Sequence, residues 1–114
     1  MNYPRFVIFR KDDGCCYFHL YSEKQKLLLT GKPCGHRTDT IKAIRELFAL
    51  AKQGFNYRMS KHNEKFYYQV MNKQNKVVAT SVLYHTMPGM AFGMNAAMKN
   101  VCVAVIEDFR HHYC

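Results

Sequence analysis

The chain has 114 residues, of which 48% are hydrophobic and 14% aromatic, and this is enough apolar material to close one modest core in a single domain spanning residues 1–114. Its longest apolar run, Val101 to Ile106, is far shorter than the roughly 20 residues that a membrane-spanning helix needs. The apolar stretch between Arg5 and Arg10 is too short for a signal peptide. We therefore expect a cytoplasmic protein with no membrane partner.

The net charge of +9 is the one bulk property that points to a partner. It arises from 17 Lys and Arg against 8 Asp and Glu, and such an excess attracts polyanions, among them nucleic acids. Many small proteins are basic for solubility alone, however, so the charge by itself does not identify a nucleic-acid partner.

The cysteines do not form the pattern of a disulfide-stabilised protein. Their number is odd and their spacing irregular, which suits a reducing compartment. They are Cys15, Cys16, Cys34, Cys102 and Cys114. We expect these residues to be free thiols.

The first part of the chain predicts three antiparallel strands. Arg5–Arg10 has the β-branched and aromatic content of a strand, and Lys11–Gly14 supplies the turn that ends it. Cys15–Tyr21 then alternates between two faces, Ser22–Gln25 forms a turn, and Lys26–Thr30 returns as the third strand.

A helix is predicted next, from about Ile41 to Lys52. The segment Thr38–Thr40 offers side-chain caps for its start, and Gly54 lies where it would end. Apolar side chains recur at helical spacing and define the face that packs on the core. They are Ile41, Ile44, Leu47, Phe48 and Ala51.

The order of elements then repeats. The second round predicts a strand at Phe55–Ser60, a turn at Lys61–Lys65, a hairpin at Tyr67–Ser81, a helix over about Met90–Lys99 and a last strand at Val101–Glu107. This last strand would occupy after the second helix the place that Phe55–Ser60 occupies after the first. Gly93 lies inside the second helix, where glycine costs about 1 kcal/mol relative to alanine, so we expect the helix to pack closely on the sheet there.

An internal repeat underlies this order. Shifted by 50 positions, Tyr17–Gly31 falls on Tyr67–Ser81 without a gap, and four aligned pairs keep their chemical type, namely Phe18 and Tyr68, Leu20 and Val70, Leu27 and Val77, and Leu28 and Val78. Three pairs are identical: Tyr17 and Tyr67, Lys26 and Lys76, Thr30 and Thr80. We therefore predict an α+β fold of two tandem repeats, each an antiparallel β-meander followed by one α-helix, related by a pseudo-twofold and sharing one core. Repeat one covers about residues 5–54 and repeat two about 55–109, followed by a tail at 110–114.

These residues resemble the YegP-like proteins, a family of small tandem repeats of unknown function. That repeat carries alternating aromatic and aliphatic residues, an Asn-Gly turn, a Val-Ile pair, Thr-Ser, an aromatic residue and a Gly-Ile step in the helix. The second repeat here matches at Tyr68, Val70, Gln74-Asn75, Val77-Val78, Thr80-Ser81, Tyr84 and Gly93-Met94. The first matches at Phe18, Leu20, Lys24-Gln25, Leu27-Leu28, Thr30-Gly31 and Ala43-Ile44.

The chain also departs from the family pattern. Neither turn keeps Asn-Gly, Gly31 stands where Ser81 does in the other repeat, and Cys34 stands where Tyr84 does. The resemblance covers about residues 5–109 and implies a fold of strands and a helix used twice. It implies no activity, because a fold alone does not carry function.

Metal and thiol chemistry have a few candidate residues. Cys and His cluster at Cys15-Cys16, at Cys34 with His36, and at His111-His112 with Cys114, but no C-x-x-C pair is present. Adjacent strand residues point to opposite faces, so Cys15 and Cys16 cannot both bind one ion without a bulge. Incidental or buried thiols explain these residues equally well, and we predict no cofactor.

Nucleophilic catalysis would need Ser or Cys beside His and an orienting carboxylate. Ser81 with Tyr84 and His85 is one candidate set. Cys34 with His36 and Asp39 is the other. Neither lies in a nucleophile elbow, and no glycine-rich phosphate loop is present. We therefore do not predict an enzyme.

Nucleic-acid binding is the function that the sequence favours. The candidate residues are four lysines around the two equivalent turns, Lys24, Lys26, Lys73 and Lys76, and three tyrosines, Tyr17, Tyr21 and Tyr67, on the strand faces opposite Phe18 and Leu20. Aromatic side chains on an open basic sheet stack on bases, at about 1–3 kcal/mol each. The alternative for these residues is that the tyrosines pack under the helices and the lysines are only solvated.

A protein-interaction module is the second hypothesis. The apolar segment Val101–Ile106 would make an adhesive sheet edge and support a homodimer or a strand-pairing partner. It would lose this role if it paired with the other repeat inside one chain. The sequence thus predicts a non-enzymatic binding module, with nucleic acid favoured over protein.

Overall fold

The computed structural model describes residues 3–10, 15–31 and 36–108. Its elements are, in chain order, β1 (Arg5–Arg10), β2 (Cys16–Tyr21), β3 (Leu27–Gly31), α1 (Arg37–Leu50), a short 3-10 helix (Gly54–Asn56), β4 (Tyr57–His62), β5 (Lys65–Met71), β6 (Val77–Thr80), α2 (Met87–Val101) and β7 (Val105–Asp108). We call β1–β3 with α1 the first half and β4–β6 with α2 the second half. The turn predicted at 11–14, Cys34 and the tail at 110–114 lie outside the described residues.

All seven strands form one sheet, in the order β4-β5-β6-β3-β2-β1-β7. Neighbouring strands are antiparallel, except that β7 runs parallel to β1. The two halves meet at the centre, where β3 and β6 share the register pair Thr30 and Thr80. The predicted α+β class is therefore confirmed.

Both helices pack on one face of this sheet and share one core with it. Because successive strand residues point to opposite faces, Phe6 and Ile8 of β1 lie on the same side as Phe18 and Leu20 of β2, and all four are buried. The buried helix residues that meet them include Ile44, Leu47, Met90, Ala97 and Val101. Neither helix has the length and apolar character to cross a membrane, as far as the chain is described.

Both helices begin earlier than the sequence pattern predicted. The first starts at Arg37 and not at Ile41, because His36 is its N-cap and the His36 backbone N–H donates to the Asp39 carboxylate at 2.9 Å. The second starts at Met87, because the Thr86 hydroxyl accepts from the Gly89 N–H at 3.0 Å. Proline in the first turn fits there, since its missing N–H would have no partner within the helix.

The second helix also ends later than predicted, and this shortens the last strand. Val101 is its final residue and is fully buried, so the helix gains apolar burial by continuing to that point. The strand predicted at 101–107 begins only at Val105. It also does not take a place equivalent to β4, because β4 pairs antiparallel with β5 whereas β7 pairs parallel with β1.

Candidate binding surfaces

The sheet face opposite the helices carries aromatic side chains at its β1–β2 end. No helix of the described residues lies on this face, and we call it the open face. Phe9 stacks on Tyr17 with ring centroids 5.7 Å apart, and His19 meets Phe9 edge-on at 4.7 Å. His19 Nδ1 lies 3.1 Å from the Tyr21 hydroxyl. These four partly exposed residues form what we call the aromatic patch.

The β4–β5 end of the open face is basic. Since Tyr68 and Val70 point into the core, Lys65 and Tyr67 point to the open face. The register sets Ser60 opposite Tyr67, and His62 opposite Lys65, while Arg58 faces Gln69. Arg58 and His62 are exposed, and Lys65 and Tyr67 partly so. These four residues, Arg58, His62, Lys65 and Tyr67, form what we call the basic patch.

Short polar side chains connect the two patches across the sheet centre. The Thr30 hydroxyl donates to the Thr80 carbonyl at 3.2 Å, and the Gln69 amide donates to the Thr80 hydroxyl at 3.3 Å. These polar side chains are hydrogen-bonded to one another or to the backbone, and they lie between the two patches in the sheet.

Arg5 and Glu107 border the aromatic patch on the β7 side. The Arg5 guanidinium lies 4.8 Å from the Tyr21 ring centroid, and its Nε is 3.4 Å from the Glu107 carboxylate. The Tyr3 hydroxyl donates to the same carboxylate, and this hydrogen bond raises the pKa of Tyr3. The patch is thus flanked by a cation whose charge is partly balanced.

The four candidate lysines fall into two pairs at opposite ends of the sheet. Lys24 and Lys26 lie in the turn before β3, and Lys73 and Lys76 lie in the turn before β6. Because β3 and β6 run antiparallel, the turns that precede them lie at opposite strand ends. All four side chains are exposed. We call these two segments the lysine turns.

Both lysine turns are rigidly built, in the same way. The Ser22 hydroxyl accepts from the backbone N–H groups of Lys24 and Lys26 at 3.1 and 3.2 Å. In the other turn the Asn72 side-chain oxygen accepts from those of Gln74 and Lys76 at 2.9 and 3.0 Å. Gln25 and Asn75 both adopt positive φ, 68° and 60°, which is the position that glycine fills in the Asn-Gly turns of the family.

Each lysine turn borders a cleft at the point where β3 and β6 separate. The α1 cleft, of about 580 Å³, lies between the 72–76 turn and helix α1 and is lined in part by Tyr17, Glu46 and Lys76. The α2 cleft, of about 920 Å³, lies between the 22–26 turn and helix α2. Its lining includes Lys24, Lys26, Leu28, Val82, Tyr84, Phe92, Gly93, Ala96 and Lys99.

A tyrosine pair supports the floor of the α2 cleft. Tyr84 stacks on Tyr68 with centroids 6.1 Å apart, and the Tyr68 hydroxyl reaches the carbonyl oxygens of Leu28 at 2.9 Å and Gly93 at 3.0 Å. Burial raises the pKa of Tyr68. A side chain at Gly93 would collide with the Tyr84 hydroxyl, which confirms the close packing expected of this glycine.

Ser81 has a structural role in place of the nucleophilic one that the sequence left open. It is buried, its hydroxyl donates to the Val82 carbonyl at 2.8 Å, and it accepts from the Tyr68 backbone N–H at 3.0 Å. His85, the suggested base, is exposed on the following segment. The hydroxyl is therefore already engaged within the sheet.

The members of the other candidate sets that the structure describes occupy separate places in the fold. Asp39, which the sequence set beside Cys34 and His36, is used to cap helix α1. Cys16 is buried, Cys102 is exposed at the end of α2, and both are free thiols. No group of three metal-ligating side chains occurs among the residues that the structure describes.

Sequence reasoning placed the three tyrosines on the correct face and missed several of their neighbours. Phe9, His19, Arg58, His62 and Lys65 complete the two patches. The place of Phe9 on the open face could have been predicted, because buried and partly exposed residues alternate along β1 and Phe9 follows the buried Ile8. The place of Arg58 could not have been predicted in this way, because β4 shows no regular alternation of buried and exposed residues.

Comparison with known proteins gives the fold a name. No protein-family model and no curated protein sequence matches the chain. The solution NMR structure of YegP from E. coli, a protein of unknown function, is similar with a TM-score of 0.88 and 18% identity, covering 96% of each chain. That of a UPF0339 protein from Shewanella oneidensis has a TM-score of 0.87 and 16% identity, covering 97% of this chain and 98% of the other. The chain therefore has the fold of the YegP-like proteins, as its sequence resemblance implied.

Proposed function

We propose that this chain is a non-enzymatic cytoplasmic module that binds single-stranded nucleic acid on its open face. The observation that carries the proposal is the combination of partly exposed aromatic rings and cations on a sheet face that no described helix covers. Unpaired bases stack on such rings at about 1–3 kcal/mol per base, largely independently of sequence. A duplex keeps its bases stacked inside, so the aromatic patch favours single strands.

The separation of the two patches sets the length of the ligand. Tyr17 lies on β2 and Tyr67 on β5, three strand spacings apart, or about 14 Å across the sheet. Tyr17 and Tyr67 also lie two residues to opposite sides of the row formed by His19, Thr30, Thr80 and Gln69, so the two residues are about 19 Å apart. A strand that contacts both patches spans several nucleotides. The lysine turns lie at the two ends of the sheet and would attract the phosphates of a longer strand, consistent with the net charge of +9.

Fluorescence anisotropy with a labelled single-stranded RNA of about ten nucleotides tests the proposal. We expect micromolar or tighter binding at low salt that weakens steeply at physiological salt, because bound cations are released from the phosphates. Tyr67→Ala should weaken binding about fivefold to 100-fold through the loss of one stacking contact. Arg58→Glu with Lys65→Glu should weaken it further and lower its salt dependence.

Matched variants distinguish binding at the open face from a general effect of the protein's net charge. Lys24→Glu with Lys73→Glu makes the same change in net charge as Arg58→Glu with Lys65→Glu, but at the lysine turns. A larger loss from the turn variant would move the site to the turns. Absence of binding at low salt would reject the proposal.

We further infer that residues 5–54 and 55–109 are tandem repeats related by a pseudo-twofold within one domain. Support comes from the central pair Thr30 and Thr80, which are 50 residues apart, and from the turns at Ser22 and Asn72, which form the same hydrogen bonds. A variant in which residues 67–81 are replaced by residues 17–31 should still unfold in one cooperative transition. A broad, non-cooperative transition would contradict the equivalence of the two segments.

The second candidate function is self-association through β7. Val105 and Ile106 lie on this outermost strand and are 48% and 41% exposed, and apolar edge strands pair readily with another chain. Sedimentation should show a concentration-dependent dimer that Ile106→Lys abolishes. A monomer at all concentrations would remove this candidate and leave the open-face proposal unaffected.

A further inference from the structure

The α2 cleft differs from the α1 cleft at the helix positions that line it, although both are built on the same plan. The 22–26 turn and β3 form one side of the α2 cleft, and the 72–76 turn and β6 form the corresponding side of the α1 cleft. On the helix side Gly93 and Ala96 line the α2 cleft, whereas Ala43 and Glu46 line the α1 cleft 50 residues earlier. The α2 cleft has a volume of about 920 Å³ and the α1 cleft one of about 580 Å³, and the α2 cleft has no carboxylate at the position of Glu46.

The rim of the α2 cleft is cationic. Lys24 and Lys26 approach from the turn and Lys99 from the last turn of α2, against the single carboxylate of Glu23. In the α1 cleft, one lysine, Lys76, and one glutamate, Glu46, leave the described lining without a net charge. The electrostatic potential therefore favours an anion in the α2 cleft and not in the α1 cleft.

The interior wall of the α2 cleft is aromatic and apolar. Phe92 is 77% exposed at its edge, and Tyr84, Leu28 and Val82 continue the wall inward. Phe92 is one of several exposed large apolar side chains, and it lies in the lining of this cleft, where the ring of a bound ligand would cover it. Tyr84 is held against Tyr68 and Gly93, so this wall is preformed.

We propose that the α2 cleft binds a small aromatic anion, whose ring packs between Phe92 and Tyr84 while its charged group contacts Lys26 and Lys99. The volume is in the range of sites for drug-sized ligands, about 300–1,000 Å³. The site is on the helix side of the sheet, separate from the open face, and does not depend on nucleic-acid binding.

The test uses 8-anilinonaphthalene-1-sulfonate as the anionic probe and N-phenyl-1-naphthylamine as its neutral counterpart. Fluorescence titration gives the affinity, and ¹H–¹⁵N spectra of the same samples locate the site. We expect the anion to bind at least about tenfold more tightly than the neutral compound, since one charge-assisted contact contributes that much. Backbone signals of residues 22–28 and 92–100 should shift.

Two pairs of variants distinguish specific binding in the α2 cleft from a general effect of the protein's net charge. Ala96→Glu introduces the carboxylate that the α1 cleft has, and Ala49→Glu makes the same change at an exposed position of α1. Lys99→Glu and Lys42→Glu form a second pair with identical net charge, and Lys42 is exposed. We expect the first member of each pair to weaken anion binding about tenfold and the second to leave it unchanged, with native ¹H–¹⁵N spectra for all four.

Three results would overturn the proposal. They are equal affinities within each pair, equal affinities for the anionic and neutral probes, and spectral shifts confined to the open face. Because the open-face variants Tyr67→Ala and Arg58→Glu leave this cleft intact, they should bind the anion like the wild-type protein.

Discussion

The two halves of the molecule have the same order of elements and protect their first strands differently. Ile8 of β1 pairs with Phe18, and Met59 of β4 pairs with Tyr68 at the matching position of the second half. Ile8 is 1% exposed and Met59 is 59% exposed. β7 extends the sheet beyond β1, whereas β4 is the outermost strand. The first half is thus the more enclosed, and the second half offers the more accessible and more basic surface.

The buried aromatic residues differ in a related way. Phe18 packs against Gly31, where any side chain would collide with its ring. Tyr68 has Ser81 at the corresponding place and is held by hydrogen bonds. One half therefore relies on close apolar contact, and the other combines packing with polar contacts to the backbone. Four predictions follow from this contrast, in decreasing order of expected effect.

Truncation of the side chains at the matching positions Ile8 and Met59 should show the largest difference in stability between the two halves. Ile8→Ala leaves a cavity in the core and should lower the free energy of unfolding by about 2–4 kcal/mol. Met59→Ala removes an exposed side chain and should change it by less than about 0.5 kcal/mol. Urea denaturation measures both. Similar losses for the two variants would show that β4 is as enclosed as β1.

Substitution of the residue beside the buried aromatic should lower the stability more at Gly31 than at Ser81. Gly31→Ser forces a side chain into the Phe18 ring, and overpacking of this kind lowers the free energy of unfolding by about 1–3 kcal/mol. Ser81→Ala removes one hydrogen bond to the Tyr68 N–H and should lower it by about 1 kcal/mol. If Gly31→Ser is neutral in the same denaturation assay, the close contact does not determine the choice of glycine.

Removal of the Tyr68 hydroxyl should destabilise the second half. Tyr68→Phe deprives the Leu28 and Gly93 carbonyls of a buried donor and should lower the free energy of unfolding by about 1–2 kcal/mol. Tyr67→Phe makes the same chemical change on the open face and serves as the control, with an expected change below about 0.5 kcal/mol. Equal effects would mean that the hydroxyl does not join β3 to α2.

The same tyrosine predicts a loss of stability at high pH. Burial raises the pKa of Tyr68 above the ordinary value of 10.0, so the folded state holds this proton more tightly than the unfolded state. The stability that this provides is complete below pH 10 and is lost as the pH rises further, by up to about 1.4 kcal/mol per pH unit.

Burial also raises the pKa of Tyr57, which donates to the Ala51 carbonyl at 2.8 Å and adds to this dependence. Thermal melts of wild type and Tyr68→Phe between pH 8 and 11 should therefore converge as the pH rises. If the melting temperatures of the two proteins fall in parallel, the Tyr68 hydroxyl is not the cause of the loss of stability at high pH.

Much of the fold was predictable, because local patterns determine it. Alternation in β2 placed Phe18 and Leu20 in the core and Tyr17 and Tyr21 on the opposite face, and helical spacing identified Ile44 and Leu47 as buried. The boundary at Val101 was not predictable, since an apolar β-branched residue suits both a buried helix end and a strand. The tertiary contact with the core decides between them.

The binding surfaces were less predictable than the core. Periodicity shows that Tyr67 faces away from Tyr68, but not that the helices leave that face open. The clefts depend on the pairing of β3 with β6, two strands from different halves. A sequence pattern shows neither that pairing nor the position of Lys24 and Lys26 beside helix α2.

The most direct test of nucleic-acid binding at the open face is a ¹H–¹⁵N titration of the whole protein with single-stranded RNA of about ten nucleotides. We expect the largest shifts at Phe9, Tyr17, His19, Arg58 and Tyr67, with the amides of α1 and α2 little affected. Shifts concentrated on the helices, or no shifts at low salt, would contradict it.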